Sequence, residues 1–163
     1  MNYKNLAEMF EASSVRFSNR AVFAWYDAHN QLHEKNFGDL YRDATYLARA
    51  LVALGVESRE HVGLLSDNRY EWMVADWAVI FCGAADVPRG SDITDSEITY
   101  ILSHAQIKIL FLENEKLFER LQSLRHSLPL LQFVIVMDPG ARENPEFTRM
   151  QDGRFTLNVE TAD

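Results

Sequence analysis

The sequence predicts an α/β fold, a mostly parallel sheet flanked by helices and preceded by an N-terminal helix and a β-hairpin. Two observations carry this. Between His61 and Glu113, three short apolar runs (residues 62–65, 85–88 and 107–112) alternate with two stretches of helical period, the pattern of βαβ units and a parallel sheet. Upstream, residues 21–27 and 32–37 have strand character on either side of His29-Asn30-Gln31, which marks a hairpin with a loop longer than the tightest kind.

Taken in order, residues 6–17 form a surface helix with Leu6, Met9, Phe10 and Phe17 as its apolar stripe. The hairpin follows, ended by Gly38. Asp39 then opens a helix whose inner face is Leu40, Ala44, Leu47, Leu51 and Leu54, with Gly55 at the capping position. After the strand at Val62, Asn68 and Glu71 have the spacing of a capping box. The helix they would start is apolar nearly all round, from Trp72 to Phe81, and so is expected to be buried on more than one side. Thr94 and Glu97 form a second capping box, before a one-sided helix with Ile98, Ile101, Leu102 and Ala105. Asn114 caps the last helix, with Leu117, Phe118, Leu121, Leu124 and Leu128 facing inward and Pro129 as its stop. A strand follows at residues 131–137. Asp138-Pro139-Gly140 then makes a turn, and the rest is polar and irregular apart from a short strand at residues 155–159. The chain thus divides into residues 1–138, an N-terminal α/β subdomain, and residues 139–163, an irregular segment leading onward.

Composition narrows the function. At 163 residues and 47% apolar, the chain can build one ordinary core. A net charge of −8 argues against nucleic acid or anionic membrane as a partner. The single cysteine, Cys82, cannot close an internal disulfide and reads as a small buried hydrophobe in a reducing cytoplasm. No apolar run approaches the roughly 20 residues of a transmembrane span, and charges at the N-terminus interrupt any signal-peptide pattern.

The stretch from Ser66 to Asn114 resembles the N-terminal region of the AMP-forming acyl-CoA synthetases, most closely the bacterial long-chain fatty acid ligases. The matching elements are Asn68, Glu71 and Trp72; Ala78, Gly83, Ala84, Val87 and Pro88; and Glu97, Tyr100, Ile101 and Leu102, followed by a strand beginning at Lys108. The hairpin, the helix after it and the phrase Leu54-Gly55-Val56 fit as well. Glu60-His61 departs from the family's usual Gly-Asp, which implies a different turn in an unchanged fold. The resemblance implies part of an ATP-dependent ligase that forms an acyl-adenylate and then a CoA thioester, with ATP, Mg and coenzyme A as cofactors and a fatty acid as substrate. The family's Ser/Thr/Gly-rich nucleotide loop and its lysines lie downstream of the matched region. The 163 residues are therefore expected to be scaffold, inactive alone, with the remainder of the polypeptide as principal partner.

The residues agree with that expectation. No two of the seven glycines are closer than seven positions, which excludes the clustered glycines of a phosphate-cradling loop. His29, His33, His61, His104 and His126 have no metal-ligand spacing. No catalytic, cofactor-binding or metal residue is assigned. The densest polar cluster is Asp86, Arg89, Ser91 and Asp92, between a strand and a helix. It reads as an ion-paired loop, or else as a lining of the substrate or CoA side of a complete enzyme. Trp72 and Trp77 read as core rather than as base-stacking platforms. The rival reading is a self-contained, non-catalytic α/β binding module. A flavodoxin- or receiver-like domain is disfavoured by the hairpin and by the lack of an acidic cluster at the first parallel strand. The apolar circumference of the Trp72 helix further predicts an exposed patch and self-association into a homo-oligomer.

Overall fold

The computed structural model describes residues 2–27 and 29–137. Helix α1 (Leu6–Arg16) leads into an antiparallel hairpin of β1 (Ala21–Tyr26) and β2 (Leu32–Asn36). Next come α2 (Phe37–Ala53), β3 (His61–Leu65), α3 (Tyr70–Phe81), β4 (Ala85–Arg89), α4 (Asp95–His104), β5 (Ile109–Leu112), α5 (Glu115–Leu124), a short 3-10 turn (Arg125–Ser127) and β6 (Phe133–Val136). The last four strands form one parallel sheet in the order β4-β3-β5-β6, as the alternation of runs and helices predicts. The turn expected at residues 138–140 and the strand expected at residues 155–159 lie outside the described residues.

Helices cover both faces of this sheet. On one, Val62, Leu64, Ile109, Phe111 and Ile135 pack against Leu40, Leu47 and Leu51 of α2 and Val74, Ala75, Ala78 and Val79 of α3. Phe10 of α1 stacks on Trp77 with ring centroids 3.9 Å apart. On the other, Leu65, Leu110, Leu112, Val134 and Val136 meet Ile98 and Leu102 of α4 and Leu117 and Leu121 of α5. Apolar residues on both faces of β3, β5 and β6 follow from this sandwiching. Gly63 allows the closest approach. A β-carbon there would lie 2.6 Å from Leu110 Cδ1 and 3.2 Å from Ile107 Cγ2, so only glycine lets β3 sit flush under its neighbours.

Several local expectations are met. The Thr94–Glu97 capping box forms, Asn114 accepts from the Leu117 N–H at 3.0 Å, and Gly55 caps α2 at φ +92°. The turn before β3 is rebuilt around Arg59 at φ +71°. Its N–H donates to the Gly83 carbonyl at 2.8 Å, while Glu60 pairs with Lys108.

Four local expectations need correction. Helix α2 starts two residues before Asp39, because Asn36 is the N-cap and makes a reciprocal box with Asp39, taking Gly38 into the first turn. Asn68 caps nothing. The N-cap of α3 is Arg69, without a side-chain cap bond, and Glu71 accepts instead from Arg69 Nε at 2.8 Å. In α1 the inward residues are Phe10 and Ser14, whose hydroxyl donates to the Phe10 carbonyl, whereas Leu6 and Met9 are exposed. Finally, α3 leaves no large hydrophobic exposed: Trp72, Met73, Trp77 and Phe81 are half-buried against the core, with Phe10 of α1 near Trp77 and Phe81 and Tyr41 of α2 near Phe81. The exposed apolar patch expected on α3 is therefore absent among the described residues.

Candidate functional site

The strand order places a switch point between β3 and β5. The chain passes from β3 to β4 on one side, then crosses to β5 on the other. In open α/β sheets, ligands bind outside the carboxyl ends of the strands at such a point. Here that rim is the turn Ser66-Asp67-Asn68-Arg69 after β3, together with Glu113 after β5.

Backbone groups released at the strand ends organise this rim. The Asp67 N–H donates to Glu113 Oε2 at 2.8 Å. Asp67 Oδ1 accepts from the Ser91 N–H at 3.0 Å, a bond that holds the Asp67 carboxyl below the usual carboxylate range. Buried Ser66 donates its hydroxyl to the Asp67 carbonyl at 2.7 Å. Arg69 reaches furthest: Nη1 donates to the Glu113 carbonyl at 3.3 Å and Nη2 to the Met137 carbonyl at 3.5 Å. One guanidinium thereby ties the end of β3 to the ends of β5 and β6.

Two depressions open beside these bonds. The first, about 440 Å³, lies between the hairpin and the rim, lined by Phe23, Trp25 and Tyr70 on the aromatic side and by Asp67, Asn68, Arg69, Glu71 and Glu113 on the polar side. Its aromatic wall is firm. Trp25 stacks between His33 and Tyr70, and the Tyr70 hydroxyl donates to Asp43 Oδ2 at 2.8 Å inside the core. The second, about 350 Å³, lies between Trp72 and the Pro88-Arg89-Gly90 turn.

This rim carries more negative than positive side chains. Three carboxylates (Asp67, Glu71 and Glu113) surround the larger depression, and its arginine is already committed to two carbonyls and Glu71. Such a field disfavours a bound nucleotide triphosphate. Among the described residues, no three His, Cys, Asp or Glu side chains group to hold a metal.

The cluster singled out from sequence does not assemble. Arg89 points to Glu97, 3.7 Å away. Asp86 faces Asp76 of α3, whose carboxyl is pushed up to about 6 by burial and then by Asp86. Asp92 turns back beside Gly90. Among the histidines, His33 pairs with Asp27 at 2.8 Å and stacks on Trp25 behind the aromatic wall, while His61 Nδ1 lies 3.2 Å from the Ala105 carbonyl, at the opposite end of β3 from the rim. Cys82 is half-buried, and burial raises its thiol above the ordinary value. The sequence reading missed Asp67, Arg69 and Glu113. Their one signal is that each closely follows an apolar strand, but which strands are central is unreadable without the strand order.

Comparison with known proteins now identifies the architecture. The profile of the AMP-binding enzyme family matches residues 10–159. The long-chain-fatty-acid–CoA ligase of Thermus thermophilus is 29% identical over 139 residues, covering 85% of this chain and 25% of that protein. The chloroplastic long-chain-fatty-acid–acyl-carrier-protein ligase AEE15 of Arabidopsis thaliana is 24% identical over 135 residues, covering 83% of this chain and 18% of that protein. Among solved structures, the anthranilate CoA ligase AuaEII in complex with anthranoyl-AMP superposes with a TM-score of 0.73 at 25% identity, covering 83% of this chain and 25% of that one. The chain thus spans a quarter or less of these relatives' length. No helix among the described residues is long and apolar enough to cross a membrane. With its hairpin, its parallel β4-β3-β5-β6 sheet and a family match over most of its length, this chain belongs to the AMP-binding, adenylate-forming enzymes.

Proposed function

We propose that the chain is the N-terminal part of an ATP-dependent, AMP-forming fatty acid–CoA ligase that works in the cytoplasm, and that its own role is scaffold. Residues 1–138 form the α/β subdomain, and residues 139–163 lead toward the nucleotide-binding part. The observation that carries this is the family match over residues 10–159, joined to a relative named as a long-chain-fatty-acid–CoA ligase that is aligned over 85% of the chain. The larger enzyme would supply the groups for ATP, Mg and coenzyme A. The rim at Asp67, Arg69 and Glu113 would hold the strand ends in register behind that site. AEE15, a fatty acid ligase named for a different acceptor, shares the acid class, so the acid is the firmer half of the proposal and coenzyme A the part to test.

The test is acid-dependent ATP–pyrophosphate exchange, followed by thioester formation with coenzyme A or acyl carrier protein. It is run on the chain alone and on a polypeptide extended to the relatives' length. The chain alone is expected to be inactive and to bind no ATP by calorimetry. The extended polypeptide is expected to respond to long-chain fatty acids above acetate or anthranilate. Exchange by the chain alone would overturn the scaffold reading, and a preference for an aromatic acid would overturn the acid class.

A further inference from the structure

The larger depression beside the rim has two walls of different chemistry. One is aromatic, made by Phe23 and Trp25 of the hairpin and Tyr70 of α3. The other is acidic, made by Asp67, Glu71 and Glu113. The hairpin and the parallel sheet are separate sheets, and this groove is where the inner face of the one meets the strand ends of the other.

Both walls are fixed by contacts within the fold. Phe23 and Trp25 alternate along β1 with exposed Ala24 and Tyr26, so they share the face toward α3. Their rings lie 6.2 and 6.3 Å from the Tyr70 ring, and Tyr70 is itself anchored on Asp43. Opposite them, Asp67 and Glu113 are joined through the Asp67 N–H, and Glu71 gives one oxygen to Arg69. A carboxylate has about four lone-pair sites, so all three keep acceptor capacity.

Charge and ring chemistry select the same kind of occupant. Among the described residues, Arg69 is the one cation lining the groove, and it is committed to Glu71 and two carbonyls. Lys35 stands nearby, with Nζ 5.3 Å from the Tyr70 ring centroid, so this aromatic group already attracts a cation. Even with Lys35 counted, carboxylates outnumber cations here, and the excess favours a further positive group. A guanidinium suits both walls at once. It is planar, lies against aromatic rings and donates in its plane to carboxylates, where an ammonium acts as a point charge.

We propose that this groove docks an arginine side chain supplied by the polypeptide of the larger enzyme beyond this chain. The source of that arginine rests on the ligase reading; the site itself does not. This chain covers 25% of the Thermus thermophilus ligase, so a polypeptide of that length has most of its residues available to pack on this rim.

The test is an NMR titration of the full 163-residue chain with N-acetyl-arginine amide, followed at the Trp25 indole N–H. A saturable shift with a Kd of about 1–10 mM is expected, and N-acetyl-citrulline amide, the neutral analogue, should bind at least about tenfold more weakly. Glu71→Gln and Glu113→Gln should each weaken arginine binding by about threefold or more. Glu119→Gln, on α5 at the other face of the sheet, should leave it unchanged. In a polypeptide extended to the relatives' length the groove is filled from within, and the probe should no longer shift Trp25. Absence of a saturable shift in the unsubstituted chain overturns the proposal even if the variants fail to fold. Equal binding of citrulline, or an equal loss with Glu119→Gln, also overturns it. Undiminished probe binding by the extended polypeptide would make a free cationic molecule the occupant and equally overturn it. Acid-dependent exchange by that polypeptide reports on the ligase reading separately, whichever way the probe behaves.

Discussion

Asp76 and Trp72 lie one helical turn apart on α3, and both show what a half-buried position does to a side chain. The Asp76 carboxyl, raised to about 6 by burial first and by Asp86 second, keeps a proton in the folded chain across a window where the unfolded chain has lost it. That window opens at the ordinary aspartate value of 3.8 and closes at about 6. The group's contribution is thus fully present below 3.8 and lost as pH rises to about 6. Asp76→Asn should flatten the decline of Tm over this window and raise stability at neutral pH by about 1 kcal/mol after solvent screening. Thermal melts of the two proteins across that pH range check it; parallel Tm curves would refute it. Trp72, read from sequence as a core residue, is half-buried and walls the depression beside Pro88 and Arg89. Trp72→Ala should therefore cost about 2 kcal/mol in urea denaturation, below the ~3–5 kcal/mol of an aromatic truncated in a closed core. A loss in the upper range would mean that this wall is sealed.

At the scale of elements, the sheet depends on how closely β3 can approach the elements packed on it. Gly63 faces Leu102, Ile107 and Leu110, and the nearest of their atoms would sit 2.6 Å from an added β-carbon. Leu110 is fully buried and cannot swing away. Gly63→Val should destabilise by about 2–3 kcal/mol through overpacking, measured as a shift of the urea midpoint at constant slope; a change within error would show that β5 yields. Capping chemistry explains why some helix starts were legible in sequence and others not. Thr94 and Asn114 are the N-caps of α4 and α5, where local spacing indicates them. Asn68 has the same local credentials but loses the position, because Arg69 is drawn to the carbonyls of Glu113 and Met137, far away in the chain. That competition is tertiary, and no window of sequence around Asn68 contains it.

For the whole molecule, the covering of α3 changes what should happen in solution. Among the described residues, the large exposed hydrophobics fall in small separate groups: Tyr3 before α1, Leu6, Met9 and Val15 on α1, the cross-strand pair Tyr26 and Leu32 on the hairpin, Tyr46 and Val52 on α2, Tyr100 on α4 and Leu130 before β6. Scattered apolar side chains are normal on a monomer. With Pro88 on the outer edge of β4, multi-angle light scattering should return a monomer across a hundredfold range of concentration, helped by the net charge of −8. A concentration-dependent dimer would restore the self-association that the apolar α3 predicts.

The sequence by itself determined the number and kind of elements in the described region. Each depends on local periodicity, on caps and on stop signals: the hairpin, the apolar runs at β3 and β5, the inward faces of α2, α4 and α5, and Gly55 at the end of α2. Motif order likewise sufficed for the family resemblance. Only the tertiary structure decided the order β4-β3-β5-β6, and with it which strand ends meet. Strand order is set by which apolar faces bury each other across long stretches of chain, and it decides that Asp67, Arg69 and Glu113 form a rim while Asp86, Arg89 and Asp92 go separate ways. It also decided that α3 is covered, since Phe10 of α1 comes from 67 residues upstream (77 − 10) to lie on Trp77.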